Sequence, residues 1–314
     1  MGYHASVFTR SELNPILTAD DLPFEANVVF NPGAARLRDG RVGLLARVED
    51  RSGLSALHLA ASVDGVTNWT VEKEPLLAPQ AGDRWCQWGF EDARVSFVPE
   101  LDEYVITCTA YGPPGPCVYL ATSPDLFTIN TGHVVIPPED KNAALFPRRI
   151  DGSWLMLHRP VVMASNSADI WVSRSDDLIS WRDPQPVLLR RSGGWWDASR
   201  VGIAPPPIET SEGWLQIYHG VRNTVSGAIY RVGAALLDLD EPWVVRRRTD
   251  KWLLSPVDPW ERVGDVGNVV FPCGAICQDD GRIDVYYGAA DTVVCMASVQ
   301  MSDMLDLLLN GGAI

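Results

Sequence analysis

Ala121-Thr122-Ser123-Pro124-Asp125-Leu126-Phe127 reads as the end of a strand running into an acidic turn and then an aromatic. The same pattern returns four more times. Ala61-Ser62-Val63-Asp64-Gly65 leads to Trp69, and Val172-Ser173-Arg174-Ser175-Asp176-Asp177-Leu178 leads to Trp181. Ala234-Ala235-Leu236-Leu237-Asp238-Leu239-Asp240 leads to Trp243, and Ala297-Ser298-Val299-Gln300-Met301-Ser302-Asp303 is the last copy. The copies are spaced by roughly 50 to 65 residues, about the length of a four-stranded propeller blade.

Between the copies lie short strand candidates: Val42–Val48, Tyr104–Thr107, Trp154–His158, Trp214–Tyr218 and Ile283–Tyr287. Turns such as Asp39-Gly40, Asp151-Gly152, Glu212-Gly213 and Asp280-Gly281 precede them. Helical periodicity occurs only around Met304 to Leu309, and no βαβ rhythm is present. A blade buries its faces only against its neighbours, so five such units must close on themselves. The expectation is an all-β, five-bladed β-propeller with a central active-site funnel, forming one domain over residues 1–314.

The 314 residues are 46% hydrophobic with 12 Trp, enough for a large core. The formal net charge of -14 disfavours nucleic acid and anionic membranes as partners. A neutral sugar meets no such barrier, whereas an anion needs a local basic pocket. No apolar run reaches the length of a signal peptide or a membrane span, which points to the cytoplasm. The six cysteines show no CxxC pair and no zinc spacing, and read as reduced core residues. No metal or cofactor is expected. Aromatic-bearing loops suit a homo-oligomer interface.

Chemistry concentrates in Trp85-Cys86-Gln87-Trp88-Gly89-Phe90-Glu91-Asp92-Ala93-Arg94. On a regular strand Glu91 and Asp92 point to opposite faces, so only one enters the funnel. Arg94 shares the face of Asp92 and would hold its carboxylate. A basic cluster follows, with Lys141, Arg148, Arg149, His158 and Arg159, suited in so acidic a chain to holding an anion or orienting carboxylates. Two further clusters are Trp195–Arg200 with Tyr218-His219, and Gly264–Pro272 with Tyr286–Asp291. No Gly-x-Ser-x-Gly elbow, P-loop or HExxH occurs. Carboxylates and aromatics around a funnel suggest glycoside chemistry.

In order along the chain, Asn31-Pro32-Gly33-Ala34, Arg47-Val48-Glu49-Asp50-Arg51, Gly89–Arg94, Leu145-Phe146-Pro147, Leu157-His158-Arg159-Pro160, Pro206-Pro207-Ile208, Ile217-Tyr218-His219-Gly220 and Tyr287–Asp291 together resemble glycoside hydrolase family 130, the β-mannoside phosphorylases and β-mannosidases. The resemblance implies a five-bladed propeller and an inverting, metal-free mechanism on a small oligosaccharide. It makes Asp92 the catalytic acid. It assigns Asn31, Arg47, Arg51, Arg94, Tyr218 and Asp291 to the sugar. Lys141, Arg148, His158, Arg159 and His219 are the candidates for inorganic phosphate.

Glu209 follows Pro206-Pro207-Ile208, where the resemblance leads one to expect a phosphate-binding Lys. A carboxylate there repels phosphate and could activate water. The sequence therefore favours hydrolysis of a β-mannoside, with Asp92 as acid and Glu209 as base. The alternatives are a β-mannoside phosphorylase releasing mannose 1-phosphate and a non-catalytic carbohydrate-binding propeller.

Overall fold

Four of the five Asp-bearing segments are turns that join the third strand of a unit to its fourth. The Asp64 carboxylate accepts the N–H groups of Val66 and Thr67. Asp125 does the same for Phe127 and Thr128, Asp177 for Ile179 and Ser180, and Asp238 for Asp240 and Glu241. A short side chain reaches donors that the turn leaves unpaired, which is why these residue types recur. The N–H groups of Ser180 and Ile179 hold the Asp177 carboxyl down at about 2.

The computed structural model describes residues 7–161 and 168–311, and the fold is all-β. The first antiparallel unit comprises Val28–Arg36, Val42–Glu49, Ser55–Ser62 and Thr70–Val71; the second, Gly89–Val98, Glu103–Gly112, Gly115–Ser123 and Thr131–Ile136. One parallel bridge, Ser55 to Gly89, links these two into an eight-stranded sheet. The third unit is Asp140–Leu145, Trp154–Pro160, Ile170–Ser175 and Arg182–Leu188. In the fourth, Pro205-Pro206-Pro207 splits the first strand into Arg200–Ile203 and Ile208–Thr210; Gly213–Thr224, Gly227–Leu237 and Val245–Arg248 follow. The fifth is Val270–Cys277, Arg282–Ala289 and Val293–Gln300, and its fourth strand is Thr9–Arg10 from the chain's beginning.

The apolar core lies between these units. Leu57 and Leu59 meet Ile106 and Cys108 between the first and second, and Val105 and Leu120 meet Trp154 and Met156 between the second and third. Leu155 and Val172 meet Val201 and Trp214, and Leu215 and Val232 meet Val270 and Val285. The fifth unit also packs on the first, through Tyr286 and Val294 against Val42 and Leu44. Of the six free cysteines, Cys277 is exposed, a departure from the expectation, and the other five are buried. Among the described residues no helix is long and apolar enough to cross a membrane.

The fifth Asp-bearing segment departs from the other four because its strand needs no hairpin partner. The chain instead enters the helix Met301–Asn310, whose Met304 and Leu308 insert into the core of the fourth and fifth units. Arg10 fastens the borrowed strand. Its guanidinium donates to both carboxylate oxygens of Glu261 at 2.8 and 2.9 Å and to the Ser255 carbonyl at 2.7 Å. Glu261 is fully buried and also accepts the Tyr287 hydroxyl at 2.9 Å. Removing one partner of such a buried pair leaves a desolvated charge, so Arg10→Ala should lower stability by about 3 kcal/mol in urea unfolding. Unchanged stability would show that the strand is not held by this pair.

Candidate active site

The first strands of the first three units each carry an irregularity. Their pairing registers slip between Phe30 and Gly33, between Glu91 and Arg94, and between Lys141 and Ala144. Within each slip one residue takes a left-handed backbone: Asn31 (φ 45°), Asp92 (φ 52°) and Asn142 (φ 55°). Asn and Asp tolerate this conformation better than other side-chain-bearing residues. The extra residue breaks strand alternation and re-aims side chains. Consequently Glu91 and Asp92 both line one cavity of about 230 Å³. The expectation that only one of them could face inward fails for this reason.

Asn31, Arg47, Lys141, Asn142, Arg159, Arg200, Tyr230, Phe271 and Asp291 complete most of the lining. Asp92 is 5% exposed. It accepts the Asn31 amide at 2.9 Å, and Arg47 lies 3.4 Å from the same oxygen. Burial works against its charge, but Arg47, Arg94 and Lys141 together with the Asn31 hydrogen bond outweigh it, and the carboxyl is held below the usual range. Asp291 goes the other way. Burial first, then the Asp92 charge, pushes it up to about 7. One carboxyl of the two is thus ionised and the other carries a proton near neutrality. Glu91 joins Arg47 at 3.2 Å to Lys141 at 3.9 Å.

The third and fourth units contribute the cations Lys141, Arg159 and Arg200. Burial first, and then the like charges of Arg200 and Arg94 against the opposing pull of Tyr230, bring Arg159 down to about 10. The Arg159 and Arg200 Nε atoms, the Asn31 Oδ1 and both polar atoms of the Asn142 amide are buried without a protein partner. Groups of this kind are costly to leave unpaired, so the lining suits a polar, anionic occupant. Counting four cations against the two carboxylates Glu91 and Asp92, with Asp291 as neutral, the lining is net positive in a chain of charge -14. Among the described residues no three His, Cys, Asp or Glu side chains gather as a metal site.

Several residues expected here lie elsewhere. Glu209 pairs in register with Trp214, whereas the cavity residue Arg200 pairs with Val221 on the same strand. The seven positions between those partners amount to about 23 Å of strand. That exceeds the roughly 6.5–9.5 Å between acid and base in an inverting hydrolase. Glu209 instead forms an exposed two-pronged pair with Arg148 at 2.7 and 2.9 Å, which removes both from the cavity. Arg51 is exposed beside Glu25. Arg94 is buried but donates to the backbone carbonyls of Asp92, Ile203 and Ala204, not to a carboxylate. Tyr218 lies in the core, donating to Asp197. His158 alternates away from Arg159 and bonds Asp140 at 2.6 Å.

His219 stands directly behind the cavity wall. Its Nε2 lies 3.1 Å from Arg159 and its ring 4.5 Å from Phe271. Burial and the neighbouring arginines Arg159, Arg94 and Arg200 keep it neutral. The contact needs Gly202, since a Cβ there would lie 2.4 Å from the His219 ring and 2.8 Å from Arg159. Sequence reasoning missed Asn142 and Tyr230 as cavity residues and left Arg200 and Phe271, both inside the clusters it named, without a role. Asn142 carried the one available signal, the repetition of an Asn or Asp in the first strands of successive units.

A buried pair of carboxyls beside a cluster of cations and unpaired amides suits carbohydrate-processing chemistry. The chain belongs to glycoside hydrolase family 130, described as beta-1,4-mannooligosaccharide phosphorylase, which matches residues 10–310. It is 37% identical over 311 residues to a beta-1,4-mannooligosaccharide phosphorylase of Ruminococcus albus, covering 96% of this chain and 90% of that protein. It is 36% identical to a 1,2-beta-oligomannan phosphorylase of Thermoanaerobacter, covering 90% and 93%. The beta-1,2-mannobiose phosphorylase of Listeria innocua, solved with beta-1,2-mannobiose, superposes with a TM-score of 0.86 at 31% identity, covering 96% of this chain and 99% of the other. These relatives are named phosphorylases, which backs the phosphorylase alternative better than the preference for hydrolysis.

The acid pair makes stability depend on pH. An unfolded aspartate loses its proton near 3.9, whereas folded Asp291 keeps it until about 7. The folded chain therefore binds the extra proton between those values, and stability falls as pH rises through that window. In urea unfolding Asp291→Asn should gain on the wild type by roughly 2 kcal/mol between pH 5 and pH 8. A constant difference at both pH values would refute the raised carboxyl.

Proposed function

We propose that this protein is an inverting β-mannoside phosphorylase, with its five units arranged as the blades of a propeller around the cavity. It cleaves a terminal β-mannosidic bond with inorganic phosphate and releases α-mannose 1-phosphate. The observation that carries this reading is the division of the cavity lining: Asn31, Asp92 and Asp291 come from the first, second and fifth units, and Lys141, Arg159 and Arg200 from the third and fourth. Support for the propeller comes from the packing of each unit on the next and of the fifth on the first.

Asp92 is the proton donor. The surrounding cations keep it ionised. Phosphate against Lys141, Arg159 and Arg200 brings negative charge that offsets the pull of Arg47, Arg94 and Lys141 on Asp92, which raises the Asp92 pKa toward that of an acid. Asn31 fixes the carboxyl plane through its 2.9 Å hydrogen bond. Phosphate then attacks the anomeric carbon from the face opposite the departing oxygen. The anomeric C–O bond breaks, a new C–O bond to phosphate forms, and the proton from Asp92 ends on the leaving sugar. Arg47 and Arg94 hold the acid through its carboxylate and its backbone carbonyl respectively. Arg159 takes phosphate, with His219 behind it as its prop.

With mannooligosaccharide and phosphate, α-mannose 1-phosphate should accumulate, and without phosphate free mannose should not. Mannose release that ignores phosphate would defeat the proposal. Asp92→Asn should lower kcat by about 10³-fold or more. Arg159→Ala should raise the KM for phosphate by at least tenfold. Glu209→Ala should leave both parameters within about twofold, since its carboxylate lies far from the reaction.

A further inference from the structure

The cavity of about 230 Å³ is small, below the roughly 300–1,000 Å³ of pockets that enclose a drug-sized ligand. It has room for one reacting sugar ring and a phosphate, so the remaining sugars of a longer substrate lie outside it. The second unit shows where they go. Glu91, in the cavity, pairs with Thr109, and Gly89 pairs with Tyr111. Cross-strand partners and residues two apart share a face of a sheet. Tyr111 therefore stands on the same face as Glu91, two residues or about 7 Å further along the strands.

Trp88 packs edge-to-face on Tyr111 with ring centroids 5.3 Å apart. The two side chains are 42% and 37% exposed, unlike the buried core aromatics Tyr104 and Phe90 of the same sheet. Their backbone is fixed. The Trp88 N–H donates to the Tyr111 carbonyl at 3.0 Å, and the Trp88 carbonyl accepts the Ser55 N–H at 3.3 Å. The next residue must be glycine, because at φ 112° a Cβ on Gly89 would lie 1.9 Å from the Ser55 carbonyl oxygen. Two exposed, fixed rings beside a polar cavity offer apolar faces to the C–H face of a pyranose while leaving its hydroxyls in water.

We infer that Trp88 and Tyr111 form an outer stacking subsite that holds a sugar of the leaving chain beyond the cleaved disaccharide, which makes oligomers of three or more units the preferred substrates. This rests on the β-mannoside phosphorylase reading and adds chain length to it. Wild-type kcat/KM should rise about tenfold from a two-unit to a three-unit β-mannoside, assayed in both the 1,2- and 1,4-linked series. Trp88→Ala should abolish that rise while leaving the two-unit value within about twofold, and Trp88→Phe should restore most of it. Calorimetric titration of the same oligomers without phosphate should show the same length dependence, so the subsite is read even if turnover is absent. Length-dependent binding without phosphorolysis would sink the reaction and keep the subsite. Equal wild-type affinity for two and three units, or equal weakening of both by Trp88→Ala, would overturn the subsite itself.

Discussion

A left-handed backbone residue in the middle of a strand is the constraint on which the site rests. Asn31, Asp92 and Asn142 each adopt it within the first strand of their unit. On a regular strand every second side chain would be lost to the neighbouring face. With the slip in register, consecutive residues reach the cavity: Glu91 with Asp92, and Lys141 with Asn142. The same distortion frees the Asp92 carbonyl to accept Arg94, whose other donors reach Ile203 and Ala204. Arg94 thereby ties the acid-bearing strand of the second unit to the fourth, which carries Arg200.

The charges follow from that geometry. Arg47 meets Glu91 and Asp92 on the acidic side, and Glu91 also reaches Lys141. Two carboxyls close together in a buried site cannot share the same protonation preference, and here the one with more cations around it keeps the negative charge. Among the described residues Arg159 and Arg200, unlike Lys141, form no ion pair with a carboxylate. Arg159 is depressed by its own neighbours, and His219 is kept neutral by them. An acidic protein has in this way built a local field that favours an anion, which its overall charge would repel.

Much of the framework was legible because it is made of local patterns. The Asp-bearing turns repeat since each must satisfy the same few N–H groups with side chains close in sequence. Asn31, Arg47, Asp92, Lys141, Arg159 and Asp291 line the cavity; Asn31 and Arg47 were singled out through the family resemblance alone, the others also through the residue clusters that hold them. Glu209 was misread because Pro205-Pro206-Pro207 breaks its strand and sends it to the opposite end of the sheet from Arg200. Arg148 followed it there as an ion-pair partner. Tyr218 and Arg94 sit in conspicuous motifs for reasons of packing and backbone hydrogen bonding.

Sequence by itself determined the repeat, the strand-and-turn rhythm and the acidic balance, since each depends on neighbours along the chain or on composition. Only the tertiary structure decided which cations share a cavity with Asp92, that Thr9–Arg10 completes the last sheet, and that Trp88 and Tyr111 stand together as exposed rings. Those outcomes depend on register slips of a single residue and on contacts between distant strands. One residue of slip turns a side chain from the core to the cavity, and no local pattern of apolar and polar residues fixes it.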